Sequence, residues 1–260
     1  MNLIELSLLL AAAFVAGLID AVVGGGGLIQ VPALFSVLPQ AAPASIFGTN
    51  KLASIFGTAS AAVRYARRID VPWRLVLPAA ISGLLCGYLG AMAVSMLPRD
   101  WLRPLILALL VAVTAYTWFH KDFGARDGIP RLRRGDAAWA GLLGGVLGFY
   151  DGFFGPGTGS FLVFAFVRLF GMDFLRASAS AKIINAGSNL AALLYFGTQG
   201  HVLWWQGGVM ALFNIAGALV GANLALARGA GFVRKAFLLV ASLLILKFAF
   251  DIFGAPLALN

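Results

Sequence analysis

The feature that most limits what this chain can become is an internal repeat. The stretch GLIDAVVGGGGLIQ begins at Gly17, GFYDGFFGPGTGSF begins at Gly148, and 148 − 17 = 131. The same offset, without a gap, pairs Asp20 with Asp151, Gly24 with Gly155, Gly26 with Gly157 and Lys51 with Lys182. It goes on to pair Trp73 with Trp204, Gly90 with Gly221, Arg103 with Arg234 and Phe119 with Phe250. The chain therefore reads as two copies of one unit, residues 1–120 and 137–260, joined by the basic linker KDFGARDGIPRLRRGD at 121–136. A repeat decides the architecture before any single motif does.

Composition says what surrounds the repeat. The 260 residues are 61% hydrophobic and only 11% charged, against about 25% charged in a soluble domain. Apolar runs of about 20 residues recur, the length of helix that crosses ~30 Å of hydrocarbon. The strict alternation of a membrane β-barrel is missing from runs such as LPAAISGLLCGYLGAMAVSML. The expected class is all-α and polytopic, with the lipid bilayer as partner. The net charge of +9 raises nucleic acid as a partner. The cations lie in short loops, where membrane proteins concentrate them on the cytoplasmic side, so no nucleic-acid role is expected. MNLIELSLLL has no basic n-region and does not read as a cleaved signal. A single cysteine, Cys86, forms no intrachain disulfide and suggests no metal site; no cofactor is expected.

Each copy opens with a broken apolar segment, 4–38 and 137–170. Helices follow at 44–65, 74–96 and 101–119, with counterparts at 175–197, 204–227 and 231–251. If the first arm of each broken segment crosses and the rest lies at the surface, the copies are parallel. If the segment goes in, turns at the glycines and returns, the copies are inverted. Loop charges discriminate. With Lys51, Lys182 and Lys247 set aside as lying inside apolar segments, the inverted arrangement puts 14 Lys and Arg in the cytoplasm against Arg99 and Arg103 outside; the parallel arrangement gives 9 against 7. The expected build is two inverted repeats, each a broken or re-entrant helix pair plus three transmembrane helices, with both termini outside. Secondary transporters recur in this form, with a midplane site between interrupted helices.

A break exposes backbone N–H and C=O groups that lipid cannot satisfy, so it belongs where protein or a watery cavity supplies partners. GGGG at Gly24, Gly25, Gly26 and Gly27, matched by GPGTG with Gly155, Gly157 and Thr158, marks an enclosed site. Glycine admits a ligand close to the backbone, and helix N-termini beyond the breaks favour small anions. The plainer account is that the glycines let helices pack tightly. Lys51 and Lys182 each lie about ten ångströms into a helix, deep for a lysine that snorkels. Asn50, Asn185 and Asn189 stand near them and can orient an oxyanion or pair with freed backbone. Asp20 and Asp151, four residues before their breaks, have three open roles: bonding the broken backbone, countering a lysine, or carrying a coupled proton. Trp73, Trp101, Trp204 and Trp205 read as interfacial anchors, and Phe153 and Phe154 as packing.

GLIDAVVGGGGLIQVPAL, GTNKL, GFYDGFFGPGTGSF and AKIINAGSN, in that order, resemble the TauE/SafE family of membrane transporters, and the similarity covers essentially the whole chain. The resemblance implies a bacterial inner-membrane permease for small sulfur-containing anions such as sulfite or organosulfonates, and no enzyme activity. Two rivals stand beside it. Tyr150 and Asp151 form the YD pair of intramembrane aspartyl proteases, but the GxGD motif is missing and Asp20 sits in GLID. A passive anion channel would carry the same site.

The charge split predicts the topology. In a Cys86→Ser background, single cysteines placed in 121–134 and 228–235 label from the cytoplasm, and those in 198–203 label from outside. Labelling of 228–235 from outside overturns the inverted arrangement.

Overall fold

The computed structural model describes residues 1–96 and 133–253. Among these residues the chain is all-helical. The first copy supplies α1 (Leu3–Val23), α2 (Gly27–Val37), α3 (Pro43–Ala66) and α4 (Trp73–Ser95). The second supplies α5 (Asp136–Phe153), α6 (Thr158–Phe170), α7 (Phe174–Thr198) and α8 (Trp204–Phe253). Gly229 breaks α8 with φ 73° and ψ −173°, between the expected helices 204–227 and 231–251. The expected helix 101–119 and linker residues 121–132 lie outside the described residues.

Among the described residues three helices are long and apolar enough to cross a membrane: Leu3–Val23, Trp73–Ser95 and Trp204–Val233. The second arms α2 and α6 have 11 and 13 residues. At 1.5 Å per residue they reach only about 16 to 20 Å, too short to cross. Local sequence explains the helix ends. Asn2 and Glu5 close a capping box on α1. Pro43 opens α3, where its missing N–H costs nothing. The Asp173 carboxylate caps α7 by accepting from the Leu175 and Arg176 amides at 2.9 Å.

The breaks fall where the glycines stand. Gly24 and Gly25 have φ 79° and 94°, and Gly155 and Gly157 have φ 92° and 87°, a region that other residues avoid. The carbonyls released at the end of α1 are collected by side chains of three other helices. Tyr65 Oη donates to the Ala21 carbonyl at 2.8 Å, Ser178 Oγ to Val22 at 3.0 Å, and Ser160 Oγ to Val23 at 3.2 Å. In the second copy Tyr150 Oη donates to the Pro156 carbonyl at 2.8 Å. Protein side chains thus take up these carbonyls at both breaks, as an apolar setting requires.

Helices pack by touching backbone to backbone at glycines. A Cβ on Gly17 would collide with the Asn214 carbonyl, and one on Gly148 with the Gly83 carbonyl. The offset of 131 relates these two contacts. It also relates Gly221 against Leu18 to Gly90 against Phe149. Close glycine contacts are how helices gain van der Waals energy where lipid removes the hydrophobic drive. The contacts also set direction. Along α1 and α8, Ala13 meets Asn214 and Leu18 meets Gly221. Along α3 and α8, Leu52 meets Gly207 and Arg64 meets Asn223. These three helices run the same way. Helices α4, α5 and α7 also advance together, with Ala79 at Gly144, Gly87 at Gly152, Gly83 at Ile184 and Gly87 at Ser188. Between the two sets the direction reverses: Asp20 reaches Lys182 while Val22 reaches Ser178.

Two apolar clusters flank the middle of this bundle. One gathers Ala21, Tyr65, Leu162, Phe166, Phe174 and Ile184; the other Leu9, Ala13, Leu34, Phe47, Phe154 and Phe196. Asp20 on α1, Thr58 on α3 and Asn189 on α7 fall between the stretches that feed the two clusters. Phe154 packs edge-on against Phe47 and Tyr150, and Phe153 stacks on Phe149, as packing residues. Trp73, Trp204 and Trp205 are exposed near helix starts, and Leu77, Ile81, Leu85 and Leu212 point outward, a surface suited to lipid.

The glycine contacts predict a sharp contrast. Gly152→Ala drives a methyl into the Gly87 carbonyl and destabilises the protein by about 1–3 kcal/mol. Gly208→Ala, with open space around it in α8, is neutral or stabilising by up to about 1 kcal/mol. Thermal unfolding of the purified proteins checks both.

Candidate functional site

The two breaks, α3, α7 and α8 enclose one polar cavity of about 20 Å³, room for roughly one water. The first break contributes Asp20, Gly25, Gly26 and Gly27, and the second Asp151, Gly155 and Gly157. From α3 come Asn50 and Lys51, and from α7 Asn185 and Asn189. Three residues expected at the site do not line the cavity. Gly24 packs on the backbone of Gly159 and Ser160. Thr158 is buried and donates to the Gly155 carbonyl at 2.8 Å. Lys182 is fully buried behind the wall, where a Cβ on Gly159 would lie 3.3 Å from its Nζ.

Both lysines are paired crosswise between the copies. Lys51 Nζ lies 2.9 Å from Asp151 Oδ2, and Lys182 Nζ lies 2.9 Å from Asp20 Oδ2. A hydroxyl backs each carboxylate: Ser188 Oγ donates to Asp151 Oδ2 at 2.7 Å, and Thr58 Oγ1 to Asp20 Oδ2 at 3.2 Å. Asp20 Oδ1 also accepts from the Gly26 amide at 3.4 Å, so it holds the broken backbone and a lysine together. Two of the roles left open for the aspartates thus coexist in Asp20. The side chains of Lys51 and Asp151 are 2% and 3% exposed, so neither charge has bulk water to fall back on. Burial of this kind is tolerated because each ammonium has its carboxylate and each carboxylate has a further donor.

The cavity wall also carries unspent hydrogen-bonding capacity. Asn50 Oδ1 and Asn185 Oδ1 are buried without a partner. Neither α2 nor α6 has a side-chain cap on its first turn; the Leu28, Ile29 and Thr158 amides donate to the Gly25, Gly26 and Gly155 carbonyls and the Gly26 amide to Asp20, while Gly25, Gly27 and Gly157 also line the cavity. A buried carbonyl oxygen left unpaired costs about 1–3 kcal/mol, so these two side chains have reason to turn toward a partner. The setting offers a small polar guest one ammonium, rotatable amides and backbone N–H groups. Among the described residues no cluster of His, Cys, Asp and Glu could hold a metal ion.

Sequence reasoning missed Ser54, Thr58, Asn214 and Gly159 in the lining, and Gln30 and Ser188 just behind it. Asn214 Nδ2 donates to Gln30 Oε1 at 3.0 Å, and Gln30 Nε2 to the Asn50 carbonyl at 3.4 Å. The offset could have found two of them: subtracting 131 from Asn185 and Asn189 gives Ser54 and Thr58. Asn214 and Gln30 match Gly83 and Phe161, so the repeat hides them.

Apolar helices folded around a buried polar cavity, with both helix breaks in its wall, are the build of a membrane transporter. The chain belongs to the TauE/SafE family: the family model described as sulfite exporter TauE/SafE matches residues 9–248. It is 38% identical over 246 residues to "Probable membrane transporter protein ORF9" of Sinorhizobium sp, covering 95% of this chain and 93% of that one. It is 35% identical over 252 residues to "Probable membrane transporter protein YfcA" of Escherichia coli strain K12, covering 96% and 91%. A "Probable membrane transporter protein" of Haemophilus influenzae is 35% identical over 246 residues, covering 95% of each chain. No solved structure matches. The protein is a membrane transporter of this family and not an enzyme.

The crossed pairs predict a coupling pattern. Lys51→Met alone strands the Asp151 carboxylate and destabilises by about 3–5 kcal/mol. Adding Asp151→Asn recovers much of that loss, whereas adding Asp20→Asn deepens it. A double-mutant cycle by thermal unfolding separates the two partners.

Proposed function

We propose that the protein is a multi-pass permease of the bacterial inner membrane that carries a small anion, sulfite or an organosulfonate, by alternating access at the cavity between the two breaks. The observation that carries this reading is the convergence, in one buried cavity, of the Lys51 ammonium, the glycine backbone of both breaks and the Asn50 and Asn185 carboxamides, whose Oδ1 atoms have no partner and which can turn their NH2 groups to an anion. An oxyanion needs a positive charge and several N–H donors where water is scarce. The family description supports sulfur oxyanions as the class.

Helix direction supports the inverted arrangement. With α1, α3 and α8 running one way and α4, α5 and α7 the other, the first copy reads up, up, down and the second down, down, up. Residues 1–120 and 137–260 are then inverted units that exchange partners, α1 against α8 and α4 against α5, with the linker 121–136 on the cytoplasmic side. In that frame the breaks and the cavity sit near the bilayer midplane, where inverted-repeat transporters place their substrate. The cavity volume favours a carrier over an open channel. A sulfur oxyanion is larger than one water, so part of the cavity wall must move to admit it.

Flux in proteoliposomes tests the reading. Labelled sulfite or an alkanesulfonate is taken up by vesicles carrying the wild-type protein. The charge-neutral double variant Lys51→Met, Asp151→Asn inserts and folds, yet its uptake falls at least about tenfold, the loss expected from one charge-assisted contact. Undiminished uptake by the folded double variant removes Lys51 from the site. Failure of the wild type across a panel of sulfur oxyanions removes the substrate class.

A further inference from the structure

We infer that each anion enters the cavity together with one proton, and that Asp151 carries that proton. The inference rests on the anion-permease reading and adds the coupling ion. Its ground is the charge balance of the site. The cavity region holds two ammonium groups and two carboxylates, all buried or nearly so, in two pairs of 2.9 Å. The sum is zero. Lys51 has hydrogen-bond donors to spare for a guest, since an ammonium carries three. It has no charge to spare. An anion beside Lys51 puts two negative groups on one buried ammonium, and like charges sharing a dry site force a proton onto one of them. A sulfonate is the anion of a strong acid and does not take it. The proton falls to a carboxylate.

The two aspartates are not equivalent, although the repeat makes them look so. Lys182 stands behind Gly159, does not line the cavity, and remains wholly with Asp20. Asp20 also accepts from Thr58 Oγ1 and the Gly26 amide. Asp151 instead depends on Lys51, the one lysine that lines the cavity and that the guest must share. Both described contacts to Asp151, from Lys51 Nζ and Ser188 Oγ, fall on Oδ2. The other oxygen, Oδ1, is left for the proton. Among the described residues no unpaired cation faces Asp151. Across the cavity α1 presents Asp20, and α7 presents Lys182, already paired with it. Helix α4 meets this part of α5 with Gly87 against Gly152. The neighbouring Tyr150 hydroxyl is turned to the Pro156 carbonyl. Protonated Asp151 releases its claim on Lys51 and keeps its hydroxyl neighbour as a hydrogen-bond partner. A monovalent anion, an organosulfonate or hydrogen sulfite, and its proton then cross as a neutral pair, and buried charge is unchanged throughout the cycle.

Isothermal titration of the purified protein with methanesulfonate, in buffers of different ionisation enthalpy, counts protons directly. This probe does not itself titrate near neutral pH. The expected result is one proton taken up per anion by the wild type. Its affinity then weakens about tenfold per pH unit wherever Asp151 is ionised in the empty protein. Folded Asp151→Asn binds with no proton uptake and loses that pH dependence. If Asp151→Asn does not purify folded, Asp151→Glu reads the same site: uptake persists and the pH dependence moves. An unmoved pH dependence in Asp151→Glu, or undiminished uptake in Asp151→Asn, overturns the assignment to Asp151. Methanesulfonate binding to the wild type without proton uptake overturns proton coupling and leaves the anion site standing. Absence of binding by methanesulfonate and by sulfite alike overturns the anion reading and this inference with it.

Discussion

The rest of the molecule depends on two crossed ion pairs. Lys51 of the first copy is held by Asp151 of the second, and Lys182 of the second by Asp20 of the first. A lysine deep in an apolar helix is tolerable only with its carboxylate in place, and each carboxylate stands four residues before a helix break. Neither break can therefore settle until the two copies have docked. Such pairs add little stability compared with apolar residues of the same size, but they reject wrong arrangements, because a misdocked copy strands a buried charge.

The glycine contacts make that docking close enough. Gly17 and Gly217 bring α1 and α8 into backbone contact, and Gly148 and Gly152 do the same for α4 and α5. Side chains at these positions would hold the helices apart and pull the aspartates away from the lysines. Packing and site are thus one construction. The same residues that let the helices touch set the 2.9 Å separations at the cavity, and the carbonyls freed at the end of α1 are met by Tyr65, Ser160 and Ser178 from three other helices.

The copies match in how they pair and differ in what they show the cavity. Lys51 is in the wall while Lys182 is sealed behind Gly159. Asn50 has Ala181 as its counterpart, Gln30 has Phe161, and Asn214 has Gly83. The polar chain from Asn214 through Gln30 to the Asn50 carbonyl exists on one side alone. A symmetric frame provides the two breaks and the two pairs. The departures from symmetry concentrate polar side chains and the cavity-lining ammonium in one place, which suits one guest rather than two.

Much of this was legible in the amino-acid order. The offset of 131, the all-helical class, the ends of most helices, the glycine breaks and the depth of both lysines follow from spacing and composition. These are local properties, or properties of one copy compared with the other. Eleven of the fourteen residues singled out for the site line the cavity, because a buried polar residue beside a break has few other places to go. What the order could not decide was the pairing. Asp20 and Lys182 are 162 positions apart, and Asp20 with Lys51 would have been as good a match on charge. The choice is made by which helix faces meet, through Gly17 on Asn214 and Gly148 on Gly83, and by the direction in which those helices run. Tertiary packing also decided that Lys51 meets the cavity and Lys182 does not, and it brought Asn214 and Gln30 to a site no repeat pointed to. Spacing along a chain fixes what a residue can do; the register between distant helices fixes which atoms it does it with.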